Sequence, residues 1–464
     1  MTPQRTETDS MGTRSIGDEF YYGIQTIRAL ENFPISGIKP DPLYVDACIW
    51  LKKAAARVNG QLGCLPQELV SPIEAVCDEI LGGRLRDQFV VDVYQAGAGT
   101  SHHMNINEVI ANRALELLGE AKGRYDRVSP NDHVNYGQST NDVIPTAIRL
   151  GALLSLQKYL FPGLKAVVET LQAKGKEFEN IIKSGRTHLQ DGVPVRLGDE
   201  FYAYGAIMAK HTARLVQSQT ELLEIGLGGS ACGTGLNNHP QYPQRVAAEL
   251  ARLTGFQFRS AENLMAAMQS MAPFVQLSGG LRNLAQDVNK MANDLRLLDS
   301  GPKTGLKEIQ LPPVQPGSSI MPGKYNPVIA EMTNMVCFQV MGLDSAILLA
   351  AQAGQLELNV MMPLIAYNLL HSIKILGNCL QVLTDRCLQG ITADSQRCLA
   401  YGEGTLALVT ALNPYLGYLK CAEIAKESLS SGKSFREIIL EQQLMPPEQL
   451  EQVLNLAQMS RPHQ

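Results

Sequence analysis

The sequence predicts an all-α fold organised around a bundle of long helices. Three observations carry this. Phe274, Leu277, Leu281, Leu284, Val288, Met291, Leu295 and Leu298 are apolar at alternating spacings of three and four, a seam of more than three heptads. Ile365, Leu369, Ile373, Leu376, Leu380 and Leu383 form a second stripe after Pro363. The Gly97-Ala98-Gly99 turn lacks the strand-rich βαβ surroundings that a dinucleotide site needs. Such seams cannot be buried alone, so several long helices must pack near-parallel.

At 464 residues the chain is long enough for two to four domains, and 45% hydrophobic with 18% charged residues describes a globular protein. The charge sum, 40 − 45 = −5, is too mild to point to a nucleic-acid or membrane partner. No run approaches the ~18 uninterrupted apolar residues of a membrane span. Nine cysteines without a CxxC pair argue for a reducing compartment and against disulfides or a zinc site. The first twenty residues carry no apolar signal-peptide core, so a cytoplasmic location is expected.

In chain order, residues 1–20 read as an extended polar arm, and the segment Tyr21–Phe33 ends at Pro34. Helical spacings dominate from Leu43 to Asp87. The turn Gly97–Ser101 leads through His102-His103 into a helix over Asn107–Leu118, stopped by Gly119. Adjacent histidines on a helix point apart and no third ligand is placed, so no metal is expected. Ser139-Thr140-Asn141-Asp142 is a natural N-cap cluster for a helix beginning near Val143, and a helix N-terminus also favours a carboxylate. Long helical patterns fill 143–390, interrupted by a polar loop, Gly185-Arg186-Thr187-His188-Leu189-Gln190-Asp191. From Ile391 a smaller unit follows, in which Ser434-Phe435-Arg436-Glu437 is a capping box. The domain boundaries expected are therefore 1–142, 143–390 and 391–464.

The stretch Gly317-Ser318-Ser319-Ile320-Met321-Pro322-Gly323-Lys324-Tyr325-Asn326-Pro327 is the richest in chemistry. Its glycines permit backbone N–H groups to turn toward one anion, Lys324 adds a point charge, and Ser318 or Ser319 can exchange a proton. A phosphate-binding loop is excluded. Five residues, not four, separate Gly317 from Gly323, and Tyr325 follows the lysine.

This run resembles the signature loop of the fumarase/aspartase superfamily, which adds or eliminates small groups across fumarate. Gly99-Thr100-Ser101, Ser129–Asp142, Gly185–Asp191 and Gly228–Asn237 resemble its other motifs, in family order along nearly the whole chain. The resemblance implies a three-domain, mostly helical subunit whose central helices join a 20-helix core in a homotetramer, with active sites shared between three subunits. It implies a small dicarboxylate or amino-acid substrate and no cofactor. By the same match Ser318 is the catalytic base, His188 orients the substrate, and Glu331 is the partner of His188. Lys324 and Asn326, with Thr187 beside them, match the residues around the carboxylate that gains charge, and Ser319 matches a further substrate-binding position. Thr100, Ser139, Thr140 and Asn141 match those that hold the other carboxylate and the leaving group.

Tyr21-Tyr22-Gly23, the Thr140 in Ser-Thr-Asn-Asp, and Ala353–Leu356 are closer to aspartases, which release ammonia from L-aspartate, than to class II fumarases, which hydrate fumarate. Ser129 stands where fumarases usually have a histidine of a secondary anion site. Two residues depart from both: His103 replaces a usual Asn and Tyr325 a usual Val.

Overall fold

Every residue of the two apolar stripes is buried: Phe274 to Leu295 and Ile365 to Leu383 are wholly inaccessible, and Leu298 nearly so. The computed structural model describes residues 3–461 of the chain. These fall into two compact units, the first running to Pro162 and joined by His211–Gln286 and Val336–Asn378, the second made of Gly163–Lys210, Asp287–Met335 and the chain from Cys379 onward.

The first unit opens with an antiparallel hairpin, β1 (Gln4–Asp9) and β2 (Gly12–Gly17), in which Asp9 faces Gly12. The expected extended arm is extended, but paired: Gly12, at φ 113°, closes the turn. Helices α1 (Ile24–Asn32), α2 (Pro42–Gln61), α3 (Gln67–Leu81), α4 (Thr100–Leu117) and α5 (Thr140–Ser155) follow. Asp41 caps α2 by accepting from the Leu43 N–H at 2.9 Å, with Pro42 at the first helical position. Helix α4 begins at Thr100, seven residues before the start read from its apolar pattern, because the polar residues Ser101, His102, His103 and Asn105 are themselves buried.

Helix α6 (Phe161–Glu177) leads to the hairpin β3 (Ile182–Thr187) and β4 (Gln190–Arg196), then α7 (Leu197–Leu222), α8 (Tyr242–Thr254) and α9 (Leu264–Gln269). The two stripes lie on α10 (Ala272–Leu298) and α12 (Met362–Arg386), and α11 (Val328–Gln352) stands between them in sequence. In the first unit Ser278 and Arg282 of α10 donate to Asp344 of α11 at 2.6 and 2.9 Å. In the second, Arg296 of α10 donates to Asn334 of α11 at 3.0 Å, and Tyr204 of α7 donates to Asp294 at 2.7 Å. Helix α11 has a mean hydropathy of 1.5 in its most apolar window, enough by length and composition to cross a membrane. Glu331, Asn334 and Asp344 interrupt it, while Met335, Phe338, Leu348 and Leu349 stand exposed.

The polar segment 185–191, expected as a loop between helices, is the bulged tip of β3–β4. Thr187 pairs with Gln190, leaving His188 and Leu189 as a two-residue turn with φ of 56° and 58°. Such mirror-image turns usually advertise themselves by Asn-Gly, and here no such dipeptide is present. The hairpin is anchored below its tip by charge. Lys183 lies 2.7 Å from Glu308 and 3.0 Å from Glu200, and Arg186 lies 2.9 Å from Glu308, whose side chain is wholly buried. Glu308 precedes the short strand Ile309–Gln310, which pairs with Thr392–Ala393. Beyond them Leu412, Ile424, Phe435, Ile438, Ile439 and Leu450 form a core cluster, and Ser434 and Glu437 make the capping box read from the sequence.

Removing one partner from a buried ion cluster strands the others. Glu308→Ala is therefore expected to destabilise the protein by about 3–5 kcal/mol, measured by chemical denaturation, whereas the exposed Lys165–Glu169 pair should contribute under about 1 kcal/mol.

Candidate active site

The site residues read from the sequence fall into two sets, one in each unit. In the first unit Thr100 is the exposed opening residue of α4, set by a tight turn in which Ala98 and Gly99 have φ of 63° and 94°. Ser139 is the N-cap of α5. Its hydroxyl accepts from the Asn141 N–H at 3.2 Å, while its own N–H donates to Asp142 Oδ1 at 2.9 Å. The Asn141 amide donates to the Ala231 carbonyl at 2.8 Å. Thr140 and Asn141 are partly exposed at this helix N-terminus, where the helix dipole favours an anion.

Asp142 was legible only as part of a cap. The structure gives it a larger role: its Oδ2 accepts from the N–H groups of Gly228 and Ser230 at 3.0 and 2.9 Å. One carboxylate thereby joins the start of α5 to the glycine-rich turn Gly228–Asn237. Burial pushes its pKa up to about 6, against the pull of the three N–H donors and of Lys52.

Two residues behind this helix start were not singled out together by sequence reasoning. Lys52, fully buried in α2, reaches His103 Nε2 at 2.7 Å, Asn135 Oδ1 at 2.9 Å and Gln138 Oε1 at 2.9 Å. The His103 Nδ1 lies 2.9 Å from the Thr140 hydroxyl. The available signal was a lysine on the core face of an otherwise apolar helix turn, Cys48-Ile49-Trp50-Leu51-Lys52.

In the second unit Thr187 and His188 are exposed at the tip of β3–β4, with His188 in the left-handed region. The loop Gly317–Pro327 closes on itself. The Gly317 N–H donates to the Lys324 carbonyl at 2.9 Å, and the Asn326 amide donates to the Gly317 carbonyl at 2.7 Å. Inside it, the N–H groups of Ile320 and Met321 converge on Ser318 Oγ at 3.2 and 3.1 Å. Two N–H donors aimed at one hydroxyl oxygen stabilise its deprotonated form. Lys324 and Ser319 are exposed and make no side-chain hydrogen bond or ion pair among the described residues. Glu331 sits in the first turn of α11, half-exposed; within one chain it is not hydrogen-bonded to His188. No cluster of His, Cys, Asp or Glu able to hold a metal ion occurs among the described residues.

The family described as Lyase matches residues 12–342, and that described as Fumarase C C-terminus matches residues 408–461. The chain is 47% identical to an aspartate ammonia-lyase of Helicobacter pylori over 461 residues, covering 99% of this chain and 98% of that one. It is 45% identical to a class II fumarate hydratase of Thermosynechococcus vestitus over 455 residues, covering 98% and 97%. A crystal structure of a fumarate lyase:delta crystallin from Brucella melitensis, bound to cobalt, superposes with a TM-score of 0.96 at 47% identity, covering 99% of this chain and all of that one.

Asp142→Asn would turn one carboxylate oxygen into a donor facing N–H donors. It is expected to destabilise the protein by about 1–3 kcal/mol, read by thermal or chemical denaturation. Because the folded-state pKa is raised from 3.8 to about 6, Asp142 holds more protons folded than unfolded between those values. Its contribution to stability therefore falls as pH rises through that window, and the substitution should remove that part of the slope.

Proposed function

The chain belongs to the fumarase/aspartase superfamily of lyases, and from that we propose that it is an aspartate ammonia-lyase, converting L-aspartate to fumarate and ammonia. One observation carries the catalytic assignment: the paired N–H groups of Ile320 and Met321 on the Ser318 oxygen. A serine hydroxyl is far too weak a base at neutral pH unless its oxyanion is stabilised, and this loop supplies donors for that purpose. The frequency of aspartate ammonia-lyases among relatives at 45–47% identity supports the choice of ammonia over water as leaving group.

In this reading Ser318 removes a proton from the carbon beside one substrate carboxylate. The electron pair moves into that carboxylate, giving a doubly charged enediolate, and then returns to form the carbon–carbon double bond as the carbon–nitrogen bond breaks. Lys324, with Asn326, Thr187 and Ser319, stabilises the charge that develops. Thr100, Ser139, Thr140 and Asn141 hold the second carboxylate and the amino group. His188, steadied by Glu331, orients the substrate. Four copies of the chain assemble, each site drawing on three of them, and the exposed apolar positions Met335, Phe338, Leu348 and Leu349 of α11 support such an assembly, since large apolar patches usually mark contact surfaces.

Ultraviolet absorbance of fumarate tests the assignment directly. A rise with L-aspartate, matched by equimolar ammonia, and none with L-malate is expected. A rise with malate alone identifies a fumarate hydratase, and silence with both leaves the scaffold without the reaction. Ser318→Ala should lower kcat by at least ~100-fold with the circular dichroism spectrum and thermal midpoint unchanged; undiminished turnover would remove Ser318 from the mechanism.

A further inference from the structure

Behind the N-terminus of α5 lies a buried polar chain whose inner members, Lys52 and His103, no part of the proposed reaction uses. It starts at Lys52, which is inaccessible to solvent, and passes through His103, 1% exposed, to Thr140. Its hydrogen-bond directions follow from counting protons.

Asn135 and Gln138 have their amide NH2 groups occupied by backbone carbonyls. Asn135 donates to the Gln138 carbonyl at 3.1 Å, and Gln138 donates to those of Val134 and Tyr136 at 3.1 and 3.2 Å. Both therefore present oxygen to Lys52, not nitrogen. An ammonium has three protons and no lone pair, and the third proton points to His103 Nε2. Burial draws the Lys52 pKa down to about 7, with Cys48 and Asp142 opposing that shift; three facing acceptors favour the ammonium in the same sense. Burial first, then the neighbouring Lys52 charge, holds His103 well below its ordinary pKa, so the ring is neutral. A neutral imidazole that accepts at Nε2 carries its proton on Nδ1. That proton is donated to the Thr140 hydroxyl, 2.9 Å away.

The hydroxyl of Thr140 then has its own proton left. Thr146, one and a half turns further along α5, spends its proton on the Asp142 carbonyl at 2.7 Å. Thr140 makes no equivalent donation among the described residues: the Tyr136 carbonyl, four residues before it, is taken by Asn59 at 3.0 Å and by Gln138.

We propose that Lys52 and His103 are positioning residues that lock the Thr140 hydroxyl as a hydrogen-bond donor aimed at a carboxylate of the substrate. The chain fixes a tautomer, the tautomer fixes a rotor, and the site is pre-organised for an anion before the substrate arrives. This rests on the reading that Thr140 touches the substrate, and the test separates the two.

KM and kcat are compared for Thr140→Val, His103→Leu, His103→Asn and the double variant Thr140→Val/His103→Leu, using L-aspartate or, if only malate turns over, malate. A lost hydrogen bond to a charged group corresponds to a rise in KM of roughly 10-fold or more. The relay predicts that rise for Thr140→Val and for His103→Leu, with kcat changed far less. The double variant should be no worse than Thr140→Val alone. His103→Asn, whose oxygen can accept from Lys52 and whose NH2 can donate to Thr140, should stay near the parent KM. If Thr140→Val leaves KM unchanged, the substrate contact itself is wrong and the relay falls with it. If Thr140→Val raises KM but His103→Leu does not, or if their effects multiply in the double variant, the contact stands and the relay is overturned. Should His103→Leu fail to fold, the ring nitrogen chemical shifts of His103 in the unsubstituted, isotope-labelled protein decide: protonated Nδ1 supports the relay, and protonated Nε2 contradicts it.

Discussion

A carboxylate removed from water and gathered into backbone N–H groups is the interaction on which the candidate residues of the first unit depend. Asp142 accepts from Ser139 at its own helix start and from Gly228 and Ser230 in a distant turn. Without those donors a buried carboxylate would be prohibitively costly, and without the carboxylate the N–H groups would be orphaned. Each therefore requires the other. The result is a helix N-terminus whose first residues, Ser139 to Asn141, are held from beneath while their upper side stays partly open. Glu308 serves the same purpose in the second unit, where Lys183 and Arg186 hold the base of the β3–β4 hairpin and leave its tip, Thr187 and His188, exposed.

Several non-glycine residues near these anchored turns hold left-handed backbone. His188, Leu189, Ala98 and Ser230 all have positive φ without being glycine. His188, Leu189 and Ala98 sit in or beside segments with candidate site residues, and Ser230 lies in the turn that Asp142 holds. Conformations of this sort carry a cost of order 1–3 kcal/mol each, and they persist where the surroundings over-determine them. The long helices supply that surrounding rigidity. Their seams are apolar and inaccessible, and the candidate site residues lie at turns, loops and helix ends.

How much of this was legible in the sequence depends on the physical signal each feature leaves. Periodic apolar positions mark a buried helix face directly, and the stripes at Phe274–Leu298 and Ile365–Leu383 were read without error. Caps leave nearly as clear a mark, as Ser139 and Ser434 show. The hairpins were hidden. Arg186-Thr187-His188-Leu189-Gln190 has neither a period-two apolar pattern nor a glycine at the positive-φ positions; the turn closes the β3–β4 ladder, whose base Lys183 and Arg186 tie to Glu308. Lys52 was hidden for a different reason: a lysine within an apolar helical stretch usually extends its head into water, and nothing local says that Asn135, Gln138 and His103 wait for it. The signature loop was recognised by its order of residues, yet the convergence of two N–H groups on Ser318 is a property of its backbone path alone.

In the proposed function one catalytic site is completed by residues from different copies of the chain, and subunit mixing tests this most directly. Ser318→Ala and His188→Ala, each inactive or nearly so alone, would be co-expressed with distinct affinity tags, and the doubly tagged hybrid would be purified and assayed for fumarate formation. If Ser318 and His188 of one site come from different copies, the hybrid contains some sites with both residues intact, and substantial activity returns. A hybrid that forms but stays as inactive as its parents would contradict a site in which Ser318 and His188 come from different copies.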